Sequence, residues 1–219
     1  MPTRSPLFLS LVLVLVLVAL AGGHAIAASG ASFEGLLPPT GLEFNVVGRA
    51  DAPVTIIEFS DLQCPHCARN ALNTFPQIKR NYIDTGKVRY VARDLPLDMH
   101  PSAMPAAVAT RCAGEQGKFW QYRHAVFDRQ EDLDTAPYEA LAAELGLDVP
   151  RVAACQKDGA QADAVRADVQ LAGSNGITST PTFVVGRIVN GKFEGEAFAG
   201  AKAYADFAAR IDAVLAAGK

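Results

Sequence analysis

Apolar and polar positions along the chain change period several times, and each change predicts an element. Residues 53–60, PVTIIEFS, make a β-branched and aromatic run broken only by Glu58, the pattern of a strand buried on both faces. From Ala68 onward Ala71, Leu72, Phe75, Ile78 and Tyr82 recur at helical spacing until Thr85 and Gly86 close the segment. Pro76 lies inside this helix and has no N–H for the carbonyl of Leu72, so a kink is predicted there. Residues 87–93, KVRYVAR, read as the next strand, and residues 42–47 as a short strand ahead of both.

Between residues 100 and 173 the pattern turns into Ala-rich helices, over 101–116, 119–128, 137–145, 149–157 and 160–171. Strands resume at 182–185 and at 188–193, around the hairpin signal Asn190-Gly191, and a helix over 202–215 closes the chain. The order strand, helix, strand, helical block, strand, strand, helix is a mixed α/β arrangement. Residues 42–219 are read as one domain with an α-helical insertion at about 100–173, and residues 28–41 as a linker or extended lead-in.

The first residues add a compartment. Arg4 precedes an apolar run and then small residues, with Ala25 and Ala27 in an A-x-A pattern, so residues 1–27 read as a secretory signal peptide. Retention of the same stretch as a membrane anchor is the competing reading, although a spanning helix needs about 20 predominantly apolar residues. Cleavage places the mature chain in the periplasm or another extracytoplasmic space. With 20 basic and 23 acidic residues the net charge is −3, and loss of Arg4 takes it to −4. Neither value favours nucleic acid or an anionic membrane as a partner.

Four cysteines, at 64, 67, 112 and 155, then stand where disulfides persist. Cys64-Pro65-His66-Cys67 sits at the end of the buried strand and opens the helix. There the unpaired N–H groups and the dipole favour a thiolate at Cys64, the attacking sulfur, with Cys67 one turn on as its resolving partner. His66 adds to this if it is protonated or donates to sulfur. Two thiolates and an imidazole also suit zinc, yet a structural zinc site takes four ligands and no second C-x-x-C or H-x-x-x-H is present. No metal or organic cofactor is expected.

Glu58 in an apolar strand is either a buried acid that takes up a proton and relays it to Cys67, or a strand-end residue facing solvent. Thr180-Pro181 precedes a strand, where proline is cis or an edge residue. Cys112 and Cys155 fall on different insertion helices, as a disulfide pinning them or as two small core thiols. Phe119, Trp120 and Tyr122 read as core and helix-start residues, and His100 and His124 as lone surface or turn histidines.

EFSDLQCPHC, DLPLDMHPSA, RCAGEQGKFWQYRHAVF, Thr180-Pro181 within TSTPTF and the closing helix together resemble the DsbA-like branch of the thioredoxin superfamily, over about residues 52–213. The resemblance implies a thioredoxin-like fold with a helical insertion and a solvent-accessible first cysteine. It further implies Cys64 as nucleophile, Cys67 as resolving thiol, a cis Pro181 helping to hold substrate backbone, and Glu58 as the buried acid. Reduced or misfolded exported polypeptides are the implied partners, with a membrane redox protein that is a quinone-linked oxidant or a reductant; the chain is expected to act as a monomer. Pro65-His66 leans toward an oxidase whose pair rests as a disulfide. Thr180 leaves a reductase or isomerase open, and a chaperone with incidental redox chemistry is the rival from another class.

Overall fold

The computed structural model describes residues 1, 31–33, 35–36, 43–135 and 137–218. The leader predicted over residues 1–27 therefore lies almost wholly outside the described residues.

A six-stranded mixed sheet carries the chain: β1 (Ala31–Phe33), β2 (Val46–Val47), β3 (Val54–Ser60), β4 (Val88–Asp94), β5 (Thr182–Val189) and β6 (Lys192–Ala199). They lie in the order β1-β6-β5-β3-β4-β2, with β3 and β4 parallel and every other pairing antiparallel. Ala31–Phe33, within the expected lead-in, thus pairs along the β6 edge. Every residue of β3 is buried, Glu58 included, as suits a central strand covered on both faces. Asn190 and Gly191 both take positive φ in the β5–β6 turn, the conformation a tight hairpin demands. Strand β6 continues to Ala199, well past the predicted end, because its second half alternates toward solvent and carries little apolar signal.

The segment after Cys64 runs as α1 (Pro65–Arg69), a wide π-turn over Asn70–Thr74, α2 (Phe75–Ile78), and a second π-turn over Lys79–Ile83. The hydrogen-bond register widens on both sides of Pro76, which accommodates its missing donor. The insertion holds α3 (Ala103–Gly114), α4 (Phe119–Asp128), a 3-10 turn over Gln130–Thr135, α5 (Tyr138–Glu144), α6 (Val149–Asp158) and α7 (Ala160–Ser174). Helix α8 (Tyr204–Ala217) follows β6.

Three packed clusters follow from these periods. Val54, Ile56, Tyr90, Phe183 and Val185 form one face of the sheet with Ile78, Phe207 and Ile211. Ile57, Phe59, Val91 and Val184 form the opposite face with Leu36, Ala172 and Ile177. The third is the interior of the insertion, and Leu62, Cys64, Cys67 and Ala71 belong to it. The cysteine pair therefore sits on the seam between sheet and insertion. A buried ion network also crosses that seam: Asp168 of α7 binds Arg93 of β4 at 2.7 Å and also Arg111 of α3, whose Nε reaches Asp94 at 2.5 Å.

Candidate functional site

Strand β3 ends at Ser60, and the chain must turn from the sheet into α1 within four residues. Asp61 makes that turn. Its Oδ1 accepts the N–H groups of Gln63 (2.7 Å) and Cys64 (3.1 Å), and its own N–H donates to the Cys67 sulfur at 3.4 Å. Cys64 is the N-cap of α1, in extended conformation, and Pro65 occupies the first turn, where a missing N–H costs nothing. Gln130 of the 3-10 turn clamps the loop from above, its Nε2 donating to the carbonyls of Leu62 (2.7 Å) and Cys64 (3.1 Å).

Both cysteines are free thiols. Cys64 keeps 5% of its surface and Cys67 none. The first cysteine is thus far more covered than the expected solvent-accessible nucleophile, because Gln130 and the Thr180 loop pack over it. Its thiol is pulled down to about 5, chiefly by the Cys67 thiol donating to its sulfur, against the opposing effect of burial, with help from the N–H groups of Cys67 and His66 and from Thr180. Burial pushes the Cys67 thiol well up, and the neighbouring Cys64 sulfur pushes the same way, as does, more weakly, the charge of Glu58. One sulfur is built to be a thiolate and the other to hold a proton.

The Thr180–Pro181 peptide bond is cis. The Thr180 carbonyl lies 3.7 Å from the Cys64 sulfur and accepts from the thiol form; the buried Thr180 hydroxyl has no hydrogen-bond partner among the described residues, and Thr180 is one of the lesser influences that lower the Cys64 thiol. His66 and Pro65 are exposed, and the His66 ring meets the Arg69 guanidinium at Nδ1.

Glu58 is fully buried, which removes the reading of a strand-end residue in solvent. Nor is it unpaired. Arg123 of α4 binds it at 2.7 Å, the Tyr90 hydroxyl donates to it at 2.9 Å, and the Asn70 side chain lies at 3.4 Å. Its carboxylate is thus already engaged by a guanidinium, a phenol and an amide, and its charge reaches Cys67 as a minor raising influence. The same charge keeps the Tyr90 hydroxyl, already raised by burial, in its neutral donor form.

Cys112 of α3 and Cys155 of α6 are joined by a disulfide across 43 residues. Phe119 and Tyr122 are buried, and Trp120 stacks on Phe75 with centroids 5.3 Å apart. His100 departs from the expectation of a lone surface histidine: its Nδ1 lies 2.8 Å from Asp61 Oδ2, which also accepts the Leu97 N–H at 2.8 Å.

Reading the residues in order misses Asp61, Tyr90, His100, Arg123 and Gln130. Asp61 alone carries a local signal, since an Asp can accept the N–H groups two and three residues on in an Asx-type turn. The others act on partners 32 to 68 residues away, beyond any local pattern.

The Thioredoxin family model matches residues 43–213. Wolbachia pipientis alpha-DsbA1 superposes with a TM-score of 0.74 at 30% identity, covering 84% of this chain and 96% of that one. BdbD from Bacillus subtilis shares the fold, with a TM-score of 0.71 at 22% identity over 85% of this chain and 98% of its own. Among curated relatives, the Na(+)/H(+) antiporter NhaA 3 of Salinispora tropica is 36% identical over 169 residues, 76% of this chain but 25% of the antiporter. The chain spans about a quarter of the length of that relative, and among its own described residues no helix is long and apolar enough to cross a membrane. A sulfur pair at a helix start, a cis-proline beside it and a match across most of the described chain have one common source: this chain belongs to the thioredoxin family, in its DsbA-like thiol-disulfide oxidoreductase branch.

Proposed function

We propose that this chain is an exported oxidase that introduces disulfides into newly exported polypeptides. The observation that carries the reading is the asymmetry of the pair, with Cys64 pulled down to about 5 and Cys67 pushed up. Whatever stabilises the Cys64 thiolate stabilises the dithiol, and a stabilised dithiol makes its disulfide a stronger oxidant. The leader pattern over residues 1–27 and the Cys112–Cys155 disulfide support an extracytoplasmic site.

In the proposed cycle a substrate thiolate attacks the Cys64 sulfur of the Cys64–Cys67 disulfide. A substrate–Cys64 bond forms, the Cys64–Cys67 bond breaks, and Cys67 leaves and takes up a proton. A second substrate thiolate attacks the substrate sulfur of the mixed disulfide and expels Cys64 as a thiolate. The substrate gives up two electrons and its two thiol protons; Cys67 keeps one proton and the other goes to water. A membrane partner of the quinone-linked kind then returns the dithiol to the disulfide. Pro181 and Thr180, beside Cys64, form the edge against which substrate backbone lies.

The reduction potential of Cys64–Cys67 against a glutathione buffer tests the direction. A value well above the roughly −270 mV of thioredoxin is expected of a disulfide donor. A value near thioredoxin's overturns the oxidase assignment and favours the reductase or isomerase reading, for which Thr180 before the cis-proline speaks. Replacement of Cys64 by Ser should abolish turnover in either case.

A further inference from the structure

Asp61 carries more of the site than its place outside the C-x-x-C motif suggests. Its carboxylate is buried and accepts three N–H groups, from Gln63, Cys64 and Leu97, so it ties the nucleophile loop to the segment after β4. Its backbone N–H donates to the Cys67 sulfur. One acidic residue thus touches the backbone of Cys64 and the sulfur of Cys67, and a negative charge in this loop disfavours a second one on the Cys64 sulfur. The group placed to offset it is His100, 2.8 Å away on Oδ2.

His100 keeps 18% of its side-chain surface and lines an open groove of about 400 Å³ with Leu97, Asp98, Met104 and Arg166, so it is open to solvent while the Asp61 side chain is not. The charged groups that share this environment are Asp61 from the loop after β3, Asp98 from its own loop, and Arg166 from α7 across the groove. Arg166 is itself paired with Asp163, and of these groups the buried Asp61 is the one in direct contact with the His100 ring.

We propose that Asp61 and His100 form a positioning pair for thiol exchange: Asp61 holds the Gln63 and Cys64 N–H groups in register, and protonation of His100 cancels its charge within the nucleophile loop. With His100 neutral, the loop geometry persists but the Cys64 thiolate faces an uncompensated carboxylate. With His100 protonated, the pair is neutral and the thiolate is favoured. The inference rests on Cys64 as the attacking sulfur and is independent of the direction of electron flow.

The test is His100→Gln in the full chain, which keeps an N–H for Asp61 and removes the charge. Titration of the reduced variant by thiolate ultraviolet absorbance should show Cys64 binding its proton roughly threefold to tenfold more tightly than in the parent, for loss of one partly screened charge. Loss of a pH inflection in the exchange rate should accompany it. An unchanged Cys64 titration and pH profile in a folded variant overturns the proposal. A second measurement needs no variant. Linkage is reciprocal, so the assigned His100 imidazole resonance of the parent protein should titrate at higher pH in the dithiol than in the disulfide form. Identical His100 titrations in the two redox states would equally overturn it. Both readouts follow ionisation, so a failure of the oxidase assignment leaves them interpretable.

Discussion

Reducing the Cys64–Cys67 pair should give the protein a pH-dependent stability that the oxidised form lacks. In the folded dithiol Cys64 ionises at about 5, against 9.0 for an unperturbed thiol. A pKa depressed by folding means that the thiolate favours the folded state. The contribution is therefore complete above the unfolded value, falls by about 1.4 kcal/mol per pH unit on the way down, and is gone below the folded value. At pH 7, two pH units above the folded value, it amounts to about 2.7 kcal/mol. The disulfide form has no thiol at this position to ionise, so the same quantity separates the redox states and corresponds to about 60 mV of oxidising potential. Guanidinium unfolding of both forms checks this: relative to its value at about pH 4, the midpoint of the reduced protein at pH 7 should gain on the oxidised one by about 0.5–1 M. In the reduced Cys64→Ser variant that gain should vanish. Parallel pH dependence of the two forms across this interval would falsify the claim that the fold stabilises a Cys64 thiolate.

Three further perturbations follow from named contacts. Thr180→Val keeps shape and carbonyl but removes the unpartnered buried hydroxyl next to Cys64; if that hydroxyl turns to the thiolate, a hydrogen bond to a charged group contributes about 1.5–3 kcal/mol, so thiolate absorbance should titrate about one to two pH units higher. Arg123→Met strands the buried Glu58 carboxylate and should cost about 3–5 kcal/mol in chemical denaturation, with part of the loss recovered when Glu58→Gln is added. Replacing Cys112 and Cys155 together by Ala opens a link across 43 residues and should cost about 4 kcal/mol by chain entropy, read by denaturant midpoint, while the Cys64 titration stays where it was.

Much of this molecule is decided within short stretches of its chain. Strand β3 and the helix start at Pro65 are local events: a β-branched, mostly apolar run needs cover on both faces, and Pro65 just past its exit suits the first turn of a helix. The insertion helices fall within a few residues of their Ala-rich, 3.6-periodic segments, and the β5–β6 hairpin turns at Asn190-Gly191 because those two residues accept positive φ. What the sequence could not decide is which distant groups meet. Whether Glu58 is a free acid or a paired carboxylate depends on Arg123, which α4 brings in from 65 residues away. Whether His100 is a surface residue or a partner of Asp61 depends on how the segment after β4 folds back over the nucleophile loop, 39 residues on. Secondary structure and the C-x-x-C chemistry follow from neighbours in sequence, because backbone propensity and helix-end electrostatics act over a few residues. The charges that surround the sulfurs follow from tertiary packing, because an ion pair has no period and leaves no trace in the chain until the fold closes it.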